Sequence, residues 1–175
     1  TVTSNISGAI IVNPLPSITV NSGTICEGGS VNLTASGATS YTWTPGAGLS
    51  STNSPNVVAS PLVTTTYTLV GADANGCTSN ATSTVTVIVI PTISSTTPGS
   101  VCGSGAVTIS ATASAGTVSW YAAASGGTAL ATSSSYVTPN LSNTTTYYAQ
   151  ADNNGCFSPR VPVKVNVFLF PSYSV

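Results

Sequence analysis

Apolar and polar residues alternate along most of this chain. Val31-x-Leu33-x-Ala35, Tyr41-x-Trp43, Tyr67-x-Leu69 and Val85-x-Val87-x-Val89 each carry apolar side chains at every second position. That period puts them on one face of a β-strand. Pro16–Val20 and Asn56–Ala59 read as further short strands, and Pro at a strand start is tolerated because no ladder N–H is needed there. Pro45–Ser54, rich in Gly, Ser and Pro, reads as a loop. No stretch shows a helical period. The pattern predicts an all-β domain of about seven strands closed around one tryptophan, with Trp43 and Tyr67 in its core.

The pattern then repeats. Thr64-Thr-Thr-Tyr67 running into Asp73-Ala-Asn-Gly-Cys77 returns as Thr144-Thr-Thr-Tyr147 running into Asp152-Asn-Asn-Gly-Cys156. Each copy reads as a strand, a two-residue Asn-Gly turn and a return strand opening on cysteine, because both turn residues tolerate positive φ. Cys26 matches Cys102, Trp43 matches Trp120, and Val85, Val87 and Val89 match Val163, Val165 and Val167. Val107-x-Ile109-x-Ala111 and Val118-x-Trp120 supply the second and third strands, Ala122–Ser135 a variable middle, and Tyr136–Thr138 a short strand. Trp120 and Tyr147 are the expected core aromatics of this copy, and Lys164 and Asn166 alternate toward solvent. Such repetition predicts tandem β-domains over 15–90 and 91–170. The junctions Ile90-Pro91 and Phe170-Pro171 favour a stiff, end-to-end array.

Residues 1–14 fit the last strand of a preceding repeat, since Thr3-Ser-Asn5 matches Thr78-Ser-Asn80, with Val2 where Cys77 would be. The competing expectation is a donor strand exchanged between subunits. Residues 171–175 resemble Pro16–Val20 and fit the start of a following repeat.

Composition narrows the function. The 175 residues include two basic and three acidic side chains and no histidine, 3% charged against a usual ~25%. Two basic residues are too few for a nucleic-acid partner, which needs phosphates neutralised. No apolar run is long enough for membrane insertion as a helix. A hydrophobic content of 41% argues against disorder. Without histidine a Ser-His-Asp site cannot form, and no enzyme activity or cofactor is expected. Glu27, Asp73 and Asp152 are isolated, whereas calcium wants several carboxylates together. Asp73 and Asp152 are expected to hydrogen-bond their own turns. Lys164 faces outward, which excludes an intramolecular isopeptide bond.

Cys26, Cys77, Cys102 and Cys156 are the chief chemical feature, and four matched cysteines point to disulfides in an oxidising compartment. The simple pairing is Cys26 with Cys77 and Cys102 with Cys156, each closing a loop of about 50 residues for roughly 4 kcal/mol. A difficulty accompanies it. The second strand begins at one end of such a sandwich and the Asn-Gly turn lies at the other, about 20 Å away along a six-residue strand, while bridged Cα atoms lie within about 7 Å. Either the first-strand region folds back, or pairs cross the domain boundary and Cys26 meets Cys156. Trp43 and Trp120, mid-strand, are core residues in preference to sugar-stacking platforms. Tyr121 and Tyr148 should face outward.

Ile25-Cys-Glu-Gly-Gly-Ser-Val-Asn-Leu-Thr-Ala35, Tyr41-Thr-Trp43 and Asn75-Gly-Cys77 resemble the PKD-like and Ig-like repeats of Bacteroidota surface proteins. Ser119-Trp-Tyr121, Ser125-Gly-Gly-Thr128 and Thr144-Thr-Thr-Tyr-Tyr148 with Asn154-Gly-Cys156 are similar to the Ig-like module found near gliding-motility-type sorting domains. The resemblance implies Ig-like/PKD-like β-sandwiches in an adhesin or filament protein, exported by the type IX system to the cell surface. The expected function is a stiff, protease-resistant, disulfide-stapled shaft, with neighbouring copies of the repeat or subunit as partners. The alternative is an adhesion module that binds a surface glycan or another cell-surface protein through loops 45–54 and 122–135.

Overall fold

The computed structural model describes residues 13–170, and every regular element among them is a strand. The segments 1–12 and 171–175, and with them the expected flanking repeats, lie outside the described residues. The chain divides into two compact units, one ending at Val87 and the other beginning at Ile88.

The first unit contains β1 (Thr19–Val20), β2 (Gly23–Cys26), β3 (Val31–Ser36), β4 (Ser40–Thr44), β5 (Asn56–Ala59), β6 (Thr65–Ala72) and β7 (Thr78–Ile88). One sheet has the order β1-β3-β5 and the other β2-β7-β6-β4. Their inner faces carry the alternating residues: Leu33, Trp43, Val57, Ala59, Tyr67, Leu69 and Val85 form one buried cluster. The indole N–H of Trp43 donates to the Ser54 carbonyl at 2.9 Å, and the Tyr67 hydroxyl to the Ala47 carbonyl at 2.9 Å. Both large aromatics therefore enter the core with their polar atoms partnered. The alternation fails at one place: Val87 only borders the core, and Val89, expected inside, is 63% exposed. It lies beyond the end of β7, where no opposing strand covers it.

The start of this unit changes sheets. β1 pairs with β3, whereas β2 lies beside β7. Asn21 sits at the crossing. Its side chain donates to the Asn32 carbonyl (2.9 Å) and accepts from the Thr34 N–H (2.6 Å), both on β3. Its own carbonyl accepts from the buried Ser83 hydroxyl of β7 at 2.7 Å. The side chain thus continues the ladder that the main chain has left. Gly23 opens β2 because a Cβ there would stand 2.7 Å from a Val31 methyl, closer than packed atoms approach.

The second unit repeats this plan with β8 (Ile93–Thr97), β9 (Gly99–Cys102), β10 (Thr108–Ala113), β11 (Thr117–Tyr121), β12 (Ala131–Thr132), β13 (Ser135–Val137), β14 (Thr145–Asn153), β15 (Cys156–Phe157) and β16 (Val161–Phe168). One sheet is β13-β10-β8 and the other β12-β11-β14-β16-β9, with β15 against β14. β9 runs parallel to β16, Gly99 opposite Val165 and Cys102 opposite Phe168. Gly99 has the same steric reason as Gly23, with Val107 as the close neighbour. Ile109, Ala111, Val118, Trp120, Tyr147, Val163 and Val165 are buried. Trp120 stacks on Tyr136 at 6.1 Å between ring centroids, and Tyr136 meets Tyr147 edge-on at 5.3 Å. Among the described residues no buried side-chain nitrogen or oxygen lacks a hydrogen-bond partner, the condition under which polar groups can sit inside a sandwich.

Candidate functional site

The cysteines occupy two equivalent positions in the two units. Cys26 and Cys102 end the short strands β2 and β9, while Cys77 and Cys156 follow the Asn-Gly turns. Cys26 and Cys156 are each in a disulfide. Cys77, half-buried, and Cys102, exposed, carry free thiols. The expected pairs Cys26–Cys77 and Cys102–Cys156 are therefore not formed, and the expectation that all four are oxidised is corrected for Cys77 and Cys102. Strand direction gives the reason. Asn21 and Ser22 meet Ser83 and Thr84 in that order, so β2 advances away from the start of β7, beside which Cys77 lies. The six steps from Thr78 to Thr84 alone span about 20 Å. In the second unit Cys102 faces Phe168 at the far end of β16, while Cys156 precedes that strand altogether. Neither separation suits a disulfide. The first-strand region does not fold back toward the turn; it crosses to the other sheet and runs away from it.

The two turns share a motif but close differently. In the second unit Asn154 (φ 51°) and Gly155 (φ 85°) are both left-handed, and Asn153 pairs with Cys156 across a two-residue turn. In the Asp73–Cys77 turn of the first unit only Gly76 has positive φ (82°), Gly76 N–H donates to the Asp73 carbonyl at 3.1 Å, and Asp73 N–H to the Cys77 carbonyl at 3.0 Å. This is a three-residue loop, a type I turn followed by a left-handed glycine, and the expected two-residue turn is corrected there. The Asp73 carboxylate accepts from Asn75 N–H (2.8 Å) and Cys77 N–H (2.9 Å). That bond pattern favours right-handed backbone at Ala74 and Asn75. Asp152 instead accepts from Gly155 N–H at 2.7 Å.

The outer face of the second unit holds a feature that alternation did not reveal. Tyr121 and Tyr148 are cross-strand neighbours, both half-buried. The Arg160 guanidinium lies over the Tyr121 ring, its central carbon 3.4 Å from the centroid. Its Nη1 donates to the carbonyls of Ala123 and Gly126, both at 2.7 Å, and its Nε to Gln150 Oε1 at 3.4 Å. One of the chain's two basic residues thus ties the variable loop to the sheet. The sequence signal for it was slight: an arginine between Pro159 and Pro162, two strands away from the loop it holds. Lys164 is exposed. In the first unit, loop 45–54 is pinned by Trp43 N–H to the Thr52 carbonyl (2.8 Å) and Ser50 N–H to the Val58 carbonyl (2.9 Å).

Trp43, Trp120, Tyr67 and Tyr147 all lie in the cores. Burial raises the pKa of the Tyr67 and Tyr147 hydroxyls, with the neighbouring Tyr136 adding to the effect at Tyr147.

Residues 90–168 match the family model described as an Ig-like domain, CHU_C associated. A comparison with curated protein sequences found no match. Among solved structures the chain is similar to immunoglobulin domains 1–4 of Sidekick-1, with 15% identity and a TM-score of 0.53 over 87% of this chain and 48% of that one. It is also similar to a stretch of three Ig domains of titin, with 15% identity and a TM-score of 0.51 over 89% of this chain and 66% of that one. The chain spans about half the length of the Sidekick-1 structure and about two thirds of the titin one. Likeness at this identity speaks for the fold alone. On the sheets, the cores and these matches, the chain is a tandem of Ig-like β-sandwich domains.

Proposed function

We propose that the chain is a structural repeat of an extracellular filament or giant cell-surface adhesin, a disulfide-bearing spacer that holds another part of the protein away from the cell. The observation that carries this is repetition in three dimensions. The same sandwich is built twice in succession around equivalent tryptophans, with cysteines at equivalent positions. The polar surface supports it too. Thr19 with Ser36, Thr66 with Thr84, and Ser119 with Thr132 form side-chain hydrogen bonds between strands, and the two basic residues of the sequence leave few sites for charge-directed proteases. The domain plan proposed is 15–90 and 91–170, with 1–14 as a strand of a preceding repeat and 171–175 as the start of a following one. The sequence resemblance supports a Bacteroidota surface protein exported by the type IX route.

A second role, adhesion through loops 45–54 and 122–135, is favoured by the Arg160 contacts, which hold an exposed loop in one conformation and would lower the entropic cost of binding a glycan or protein. Replacing both loops with glycine-serine segments of equal length in the surface-displayed protein separates the two. A spacer should retain cell attachment, and removing whole repeats should shorten its reach. Loss of attachment on loop replacement alone would overturn the spacer role.

A further inference from the structure

Each of the two cysteine positions is oxidised in one unit and reduced in the other. The position that ends the short parallel strand is bonded at Cys26 and free at Cys102; the position after the turn is bonded at Cys156 and free at Cys77. A position that is bonded in one repeat is built for a disulfide in its equivalent, and the two remaining thiols are of opposite kind. We propose that Cys102 of one copy of this chain forms a disulfide with Cys77 of a second copy, joining repeats head to tail. This deepens the spacer role by naming the bond between copies.

The surroundings of the two thiols fit that assignment. Cys102 is exposed and paired across the ladder with Phe168. Beside it Phe168, Leu169 and Phe170 are exposed, Leu169 at 83%. Gly103 N–H donates to the Phe168 carbonyl at 2.8 Å, and the Phe170 ring lies against Gly103, in the space a Cβ would fill. The thiol therefore stands in an apolar collar, the kind of patch that marks a contact with another protein. Cys77 is held on its turn by its N–H bond to the Asp73 carboxylate and by the Asp73 N–H bond to its carbonyl, which fix its backbone. A bond between unlike positions on two copies is heterologous, so an open row of copies keeps one free thiol of each kind at its ends and can be extended.

The chemistry is thiol–disulfide exchange with a small-molecule disulfide or a disulfide oxidoreductase as oxidant. The Cys102 thiolate attacks one sulfur of the oxidant, giving a mixed disulfide and releasing one thiolate. The Cys77 thiolate of the second copy then displaces the other. Two protein thiols lose two electrons and two protons, and the oxidant disulfide becomes two thiols.

The test uses the whole chain at high concentration in oxidised glutathione, read on non-reducing gels and by intact mass. The wild-type protein should give a ladder of dimers, trimers and longer species that collapses on reduction. Cys77→Ser and Cys102→Ser should each remain monomeric alone, and their mixture should stop at a dimer. Wild-type protein alkylated beforehand should remain monomeric, a control that needs no substitution. Dimerisation of Cys77→Ser alone would show Cys102 pairing with itself and overturn the proposal. So would wild-type thiols that stay open to alkylation after oxidation, or an oxidised monomer without thiols. Loop replacement reads cell attachment instead, so either result can fail without the other.

Discussion

Arg160 offers the sharpest test of how the second sandwich is held together. Substituting Arg160→Ala removes two 2.7 Å bonds to the Ala123 and Gly126 carbonyls, a weaker one to Gln150 and the stack on Tyr121. Hydrogen bonds to a charged group contribute about 1.5–3 kcal/mol each, and a partly exposed cation–π contact about 0.5–1 kcal/mol. The guanidinium is half-exposed and the freed carbonyls can turn to water, so much of that is returned by solvent. A net loss of about 2 kcal/mol is expected. For a domain of this size that corresponds to roughly 8–16 °C in Tm. Arg160→Lys keeps the charge but cannot reproduce the planar fork, so it should fall between the two. Calorimetry gives the Tm, and amide exchange over 122–130 gives the local effect, with protection lost first in that loop. In the folded wild-type protein the Arg160 side chain is occupied, and trypsin should cut there only after unfolding. An Arg160→Ala protein with unchanged Tm and unchanged exchange in 122–130 would refute the assigned contacts.

Three further outcomes are expected. Asn154→Ala should cost about 1 kcal/mol because its φ of 51° is left-handed, a conformation that Asn tolerates through its short polar side chain and Ala does not. Asn75→Ala, in the equivalent turn but outside the left-handed region, should be close to neutral; paired urea titrations check the contrast. Trp120→Phe removes the N–H that donates to the Ser133 carbonyl at 2.9 Å and leaves a void, so chemical denaturation should show a loss of about 2–4 kcal/mol. Tyr67 and Tyr147 have raised pKa values in the fold, so their neutral forms contribute stability that is fully present below the unfolded value of 10.0 and is lost as pH rises through the folded values. Denaturation midpoints should hold up to about pH 10 and fall above it, and Tyr67→Phe should flatten part of that fall.

Period-two alternation carried most of the core because it reports which face of a strand is covered. Leu33, Trp43, Ile109 and Trp120 could be placed from it directly. Val89 could not, since alternation is local while burial depends on how far the opposing sheet reaches. Tyr136 was legible as part of a strand but not as the ring between Trp120 and Tyr147, which is a packing relation across the two sheets. The disulfide chemistry was obscured by the sheet change at Asn21–Gly23. Nothing in the hydrophobic pattern marks where a strand leaves one ladder for another. The clue was steric, a glycine opening each short strand eight residues before a valine, at Gly23 with Val31 and Gly99 with Val107. The Asp-x-Asn-Gly motif misled at one of its two sites because the dipeptide permits two turn geometries, and the bonds made by the preceding aspartate go with one or the other.

The parallel pairing of β9 with β16 has a consequence when the second unit is pulled by its ends. β9 lies near the beginning of that unit and β16 at its end, and the two run side by side in the same direction from Gly99–Val165 to Cys102–Phe168. Tension applied at the two termini draws them past each other lengthwise. Their ladder bonds are then loaded together, in shear, and must yield nearly at once. Two antiparallel terminal strands joined at one end would instead peel, one rung at a time. The same crossing that carries Cys102 away from Cys156 therefore orients the terminal strands so that the load is shared across the whole edge of the sheet.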